Sequence, residues 1–307
     1  MPGALQPELL QQIGSLEFFA RQAVEGFITG LHRSPFHGFS VEFAEHRLYN
    51  AGESTRHIDW KLFARTDKMF VKRFEEETNL RCQLVLDTSA SMHYPTDGSR
   101  SKLGFSVESA AALIELFRRQ RDAVGLSTFA AGLEAHFPAK SSRVHQRALY
   151  HRLDQLMERP RNTTLQPTDA ATALHELAEA IPRRSLVMIF SDFFERGGEL
   201  DALLGALQHL RHAKHEVVVF HTQDRVTEVE FAFEDRPTVF VDPESGAEIR
   251  LHPAGIRDAY KASMQAFRQE LDLRCAQYGI DRVEVDIEKG VYPVLSSYLV
   301  KRRKMRA

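Results

Sequence analysis

From residue 81 onward the chain alternates between two hydrophobic rhythms. Short continuous apolar runs at 84–86, 186–190 and 217–220 read as strands buried on both faces. Between them, apolar positions recur at helical spacing: Leu103, Val107, Ala110, Ile114 and Phe117; Val144, Leu149, Leu153 and Leu156; Ala171, Leu174, Leu177 and Ala178; Leu200, Leu203, Leu204, Leu207 and Leu210. Residues 123–129 read as another strand with a hairpin partner at 133–137, and Val283, Val285 and Ile287 alternate as a last strand. A long helix fits Ile256, Tyr260, Met264, Phe267 and Leu271, and a closing helix fits 291–301. This alternation predicts an α/β fold with a doubly wound, mainly parallel sheet and helices on both faces.

Two segments break the rhythm. Residues 8–31 carry Leu10, Ile13, Leu16, Phe19, Ala23 and Phe27, an amphipathic helix. After it, 33–80 is strand-like and dense in charge and aromatics, with half-buried positions at Phe39, Val41 and Phe43 and a further strand near 69–74. In 225–252, Val229, Phe231 and Phe233 followed by Val239 and Val241 predict a hairpin around Asp235-Arg236-Pro237, with a second turn at 243–246. Neither segment is long enough to bury a core alone, so the two are expected to join in one small β-rich appendage. The expected division is 1–80 and 81–307, with 225–252 inserted in the second part.

Composition narrows the function. Of 307 residues 43% are hydrophobic and 27% charged, as in a soluble globular protein. A net charge of -2 offers no bulk attraction to nucleic acid or membrane. No apolar run is long enough to span a bilayer, and the first residues do not read as a secretory signal. Cys82 and Cys275 are expected to be buried and reduced, in keeping with the cytoplasm.

The chemistry concentrates where the apolar runs end. Gln83-Leu84-Val85-Leu86 leads into Asp87-Thr88-Ser89-Ala90-Ser91, and the second long run leads into Ser191-Asp192. A polar loop at 162–164 precedes a helical pattern. Ligand sites of open α/β sheets lie beyond the carboxyl ends of such strands. Asp87, Ser89, Ser91, Thr163 and Asp192 can therefore converge on one cation. An all-oxygen set of two carboxylates and three hydroxyls suits Mg²⁺ or Mn²⁺.

In this order and context the residues resemble the metal-ion-dependent adhesion site of the von Willebrand factor A domain, with its Asp-x-Ser-x-Ser, a later Thr and a later Asp. The resemblance implies that Ser89 and Ser91 bind the metal directly, Thr163 directly or through water, and Asp87 and Asp192 largely through water. Thr164 stands where many relatives have Asp, so either threonine can be the ligand. A wider resemblance rests on Gly38-Phe39-Ser40-Val41-Glu42-Phe43-Ala44-Glu45-His46-Arg47-Leu48-Tyr49 and on 52–67, with Asp59-Trp60-Lys61. This stretch is similar to the bacterial domain-of-unknown-function family 58, which places it ahead of an A-like domain. That family is often encoded beside MoxR-type AAA+ ATPases, which implies a non-enzymatic adaptor role with such an ATPase and a client protein. Many relatives carry N-terminal membrane helices, and this chain shows none.

Other motifs take plainer readings. The fourteen histidines show no zinc-type spacing; His209 and His212 are three apart, yet nothing in the sequence completes a site. His57, Asp59 and Arg65 read as charges bracing Trp60 rather than as a catalytic set. Glu75-Glu76-Glu77 and the basic tail 301–306 read as solvated faces. An Mg²⁺-dependent phosphoryl-transfer enzyme is the alternative from another class, but it needs a second Asp two residues after Asp87 as general acid, where this chain has Ser89. A metal-free scaffold is the third reading.

Overall fold

The computed structural model describes residues 15–32, 46–48, 60–66, 69–72, 80–158, 169–193 and 200–306. These fall in two compact units: Ile28–Asn79, and a larger one that begins at Leu80 and takes in the first helix up to Phe27. The division between them falls within α1 (Ser15–His32) and at Leu80.

In the smaller unit, β1 (His46–Leu48) and β2 (Phe70–Lys72) pair antiparallel, with Arg47 opposite Val71. Between them α2 (Trp60–Thr66) is helical, which the hydrophobic pattern did not predict. The strand expected at Phe39–Phe43, His57, Asp59 and most of the family-like stretch lie outside the described residues; Arg65 is exposed.

The larger unit is built on six strands. β3 (Arg81–Asp87), β4 (Ala123–Phe129), β6 (Leu186–Ser191), β7 (Glu216–Gln223) and β10 (Asp281–Asp286) are parallel; β5 (Leu133–Lys140) is the antiparallel edge. The spatial order β10-β7-β6-β3-β4-β5 puts the first sheet strand of the chain in the middle, with the second and third to one side and the fourth to sixth to the other. This is the doubly wound arrangement, and its switch point is the crevice between β3 and β6. Register fixes that crevice: Leu86 lies opposite Phe190, so Asp87 and Ser191 leave the sheet side by side. On the other side of β3, the β4–β5 pair shifts register at Gly125, where a side chain would lie 2.5 Å from the Phe137 carbonyl oxygen.

The connecting helices are α3 (Lys102–Gln120), α4 (Arg143–Glu158), α5 (Ala170–Ala180), α6 (Leu200–His212), α7 (Pro253–Gln277) and α8 (Tyr292–Arg306). Val85, Val187, Ile189, Val217 and Val219 share one sheet face and pack with α5, α6 and the end of α7. Side chains alternate across a strand, which sends Leu84, Leu86, Phe190 and Phe220 to the other face. There Phe117 of α3 meets Tyr298 of α8 edge-on at 4.9 Å. In α1 the buried stripe is Leu16, Ala20, Val24 and Phe27, one position on from part of the predicted face. Val144, counted in the apolar face of α4, is exposed.

The inserted segment differs from its prediction. Residues Arg225–Val229 form a π-helical turn, and the hairpin is β8 (Thr238–Val241) with β9 (Glu248–Leu251), closed by the second turn rather than by Asp235-Arg236-Pro237. Asp242 makes that turn: its Oδ1 accepts from Glu244 N–H, its carbonyl accepts from Gly246 N–H, and Gly246 takes φ +71. Phe231 stacks on Phe240 and meets the Tyr260 ring at a tilt, and Arg257 donates to the Phe231 and Phe233 carbonyls. The segment is thus closed by α7 within the larger unit, and 28–79 forms a unit of its own.

Among the described residues no helix is long and apolar enough to cross a membrane. Both cysteines are free and buried. The basic tail is less solvated than expected at its start: Lys301 pairs with Glu216 and Asp281, and Arg302, its side chain largely covered, pairs with the buried Asp122.

Candidate functional site

The crevice gathers four of the five residues singled out from the sequence. Asp87 ends β3 and is 3% exposed; Ser89 and Ser91 follow in a tight turn whose Met92 N–H donates to the Ser89 carbonyl (3.1 Å). The turn is pinned sideways, since Thr88 N–H and Thr88 Oγ1 each donate to the Phe129 carbonyl of β4 at 2.8 Å. Asp192 follows β6 and is 5% exposed. Behind it Phe193 adopts φ +49, which folds its ring into the core, and its N–H donates to Ser191 Oγ at 3.0 Å. Thr163 and its alternative Thr164 lie outside the described residues.

The Asp87 carboxylate is already oriented. Ser89 N–H donates to Oδ1 (2.9 Å) and Ser191 Oγ to Oδ2 (2.6 Å). Burial, and after it the charge of Asp192, push the Asp87 carboxyl up to about 7; the bonds from Ser191 and Ser89 act in the opposite sense. Burial thus disfavours the ionised form of Asp87, and a cation placed beside it would favour that form. Ser89 Oγ and Ser91 Oγ, both buried, are hydrogen-bonded to each other at 3.1 Å. Oxygens in adjacent positions around an octahedral Mg²⁺, each at about 2.0–2.1 Å, lie about 2.9 Å from one another. The hydrogen-bonded pair needs little movement to reach the spacing of two neighbouring ligands, and its all-oxygen chemistry fits a hard cation. Among the described residues no group of three or more His, Cys, Asp or Glu side chains is placed to hold a metal, so an ion here would depend on the serines.

Three residues that the sequence did not flag complete the crevice. Lys102, at the start of α3 and 1% exposed, donates from Nζ to Asp192 Oδ2 and to Glu228 Oε1, both at 2.6 Å. Burial alone would lower this ammonium; the two carboxylates outweigh it and hold Lys102 above its ordinary value. Glu228, in the π-helical turn, is raised by burial even with Lys102 beside it, and its Oε2 accepts from Asp224 N–H at 2.8 Å. His221, at the end of β7, meets the Asp192 carbonyl through Nε2 (2.9 Å) and Arg282 Nη2 through Nδ1 (2.6 Å). A guanidinium only donates, so Nδ1 accepts and Nε2 carries the proton. Burial, then Arg282, lower His221 to about 3, and it stays neutral. A recess of about 210 Å³ opens beside Asp192 and Glu228, walled by Phe193, Met264 and Phe267. Elsewhere, His209 is joined not by His212 but by His175 of α5, with Nδ1 atoms 3.0 Å apart on the surface.

Comparison with known proteins agrees with the wider resemblance. The family model described as "Protein of unknown function DUF58" matches residues 45–270, more than half of the chain. Uncharacterized proteins of Mycobacterium tuberculosis and Mycobacterium bovis are each 28% identical over 305 residues, covering 97% of this chain and 91% of theirs. Among solved structures, the conserved hypothetical protein BatB from Bacteroides thetaiotaomicron is 19% identical with a TM-score of 0.44, covering 73% of this chain and 99% of that one. An aerotolerance-related membrane protein from Bacteroides fragilis is 19% identical with a TM-score of 0.43, covering 67% and 92%.

Proposed function

We propose that this chain, which belongs to the DUF58 family of unknown function, is a non-enzymatic, cytoplasmic adaptor with a von Willebrand factor A-like larger unit that binds a partner protein through a divalent cation. The observation that carries the reading is the buried Ser89–Ser91 hydroxyl pair, 3.1 Å apart beside the desolvated Asp87 at the switch point of the sheet. Mg²⁺ or Mn²⁺ would supply an electrophilic position able to accept a carboxylate from another protein. The chain's own part is to orient: Ser191 and the Ser89 amide fix Asp87, and the pinned turn at Thr88 holds both serines in place. The apolar wall of the neighbouring recess would exclude water from such a contact, where charge attraction is stronger. The resemblance supplies the partner class, a MoxR-type AAA+ ATPase, with a client protein as a further occupant.

A pull-down from native cytosol tests this. The ATPase should be recovered in Mg²⁺ and lost with chelator or with Asp87→Ala, with circular dichroism confirming that the variant is folded. Equal recovery with and without metal would remove the cation from the contact. One observation favours a second reading, the metal-free scaffold: Lys102 already supplies a positive charge to Asp192.

A further inference from the structure

Lys102 stands where the electrostatics of the crevice is decided. Its ammonium is in contact with Asp192, one of the two carboxylates at the switch point, and is almost wholly buried. Its position is costly by local rules, since it lies in the first turn of α3, and a helix N-terminus disfavours positive charge. What holds it is the pair of acceptors, Asp192 Oδ2 and Glu228 Oε1, at equal distances of 2.6 Å. The acceptors differ in setting. Asp192 follows β6 next to Asp87, whereas Glu228 is anchored separately, by Asp224 N–H on its Oε2 and by Tyr260 Oη–H on its backbone carbonyl (3.0 Å). Tyr94 also lies beside the ammonium, with its ring centroid 5.8 Å from Nζ.

We propose that Lys102 is a built-in competitor for the divalent cation: its ammonium neutralises Asp192 in the metal-free protein and is retained by Glu228 alone when a metal takes over that charge. The proposal rests on the metal reading of the Ser89–Ser91 pair. On it, Lys102 sets the affinity of the site, keeps the metal-free crevice folded, and makes loading reversible. Glu228 is the residue that lets the lysine leave Asp192 without becoming an unpaired buried charge. A flexible lysine stem carrying a point charge suits such a change of partner better than a rigid guanidinium would.

The test must separate competition by contact from a change in overall field. The double variant Lys102→Met, Glu228→Gln removes one positive and one negative charge, so its net charge equals that of the wild type, and the introduced side-chain amide can still accept from Asp224 N–H through its oxygen. Chelator-treated full chains are titrated with Mn²⁺ by calorimetry, alongside Ser89→Ala, Ser91→Ala. The double variant is expected to bind Mn²⁺ roughly tenfold tighter than wild type, since the positive charge that competes with the metal for Asp192 has been removed. Glu228→Asp keeps the net charge but draws the carboxylate back from Lys102, and is expected to weaken binding because Lys102 is then held by Asp192 alone; this arm decides the matter if the double variant does not fold. Equal affinity of the double variant and wild type, or tighter binding by Glu228→Asp, overturns the proposal; loss of binding in the serine variant would still leave the metal reading standing. No binding by any protein overturns both.

Discussion

Replacing Lys102 probes the crevice through stability, independently of any ligand. In Lys102→Met two carboxylates, with side chains 4% and 17% exposed, lose a counter-charge 2.6 Å from each. At an effective dielectric of about 20, the attraction at this separation is of order 6 kcal/mol per contact. Desolvation of the ammonium takes back several kcal/mol, and what remains is dominated by carboxylates kept buried without this ammonium, about 3–5 kcal/mol. Part of that loss can be avoided by proton uptake. Burial already raises Glu228 with the ammonium beside it; without the ammonium this carboxyl moves further above its unfolded value, so the stability recovered by proton uptake is present at low pH and lost as pH rises through the raised folded value. The deficit of the variant should therefore be larger at pH 8 than at pH 5. Urea unfolding in chelator, followed by circular dichroism at both values, measures it. A variant within about 1 kcal/mol of wild type at pH 8 would refute the reasoning, because a buried pair that close cannot be broken at so little cost.

Three further expectations follow from other parts of the molecule. His221 is buried neutral with its pKa lowered to about 3, so the unfolded chain binds a proton that the native state refuses; stability should fall as pH drops below about 6.5, by up to about 4 kcal/mol near pH 3, and His221→Gln should flatten that slope in acid urea titrations. Arg302→Met leaves Asp122, which is 2% exposed, without its main cation, and should cost about 3 kcal/mol in the same assay. Burial raises both thiols, Cys275 to about 11, so neither should react with a thiol reagent at pH 8 until the chain is unfolded; rapid reaction of native protein would contradict the burial.

The strands that carry the site were legible because they are buried on both faces. β3, β6 and β7 appear in the sequence as unbroken apolar runs, and the polar residues that follow them are the ones the switch point brings together. Hydrophobic periodicity places the inserted hairpin one turn too early. Phe231 and Phe233 looked like strand positions, but they fill an aromatic cluster against Tyr260 and Phe240, a use that periodicity does not distinguish from a ladder. Trp60–Thr66 is short enough that its helical spacing is not resolved from the surrounding charges. Lys102 and Glu228 left no signal at all. They are 126 residues apart in the chain, and a lysine opening an amphipathic helix reads as a solvated side chain until the fold brings Asp192 and Glu228 to it.

The central claim is that the carboxyl edge of the sheet holds a divalent cation through two serines. Calorimetric titration of chelator-treated protein with Mg²⁺, wild type against Ser89→Ala, Ser91→Ala, addresses it most directly. A saturable heat in wild type that disappears in the variant, with the variant folded, is the predicted result; equal responses from the two proteins would contradict the account.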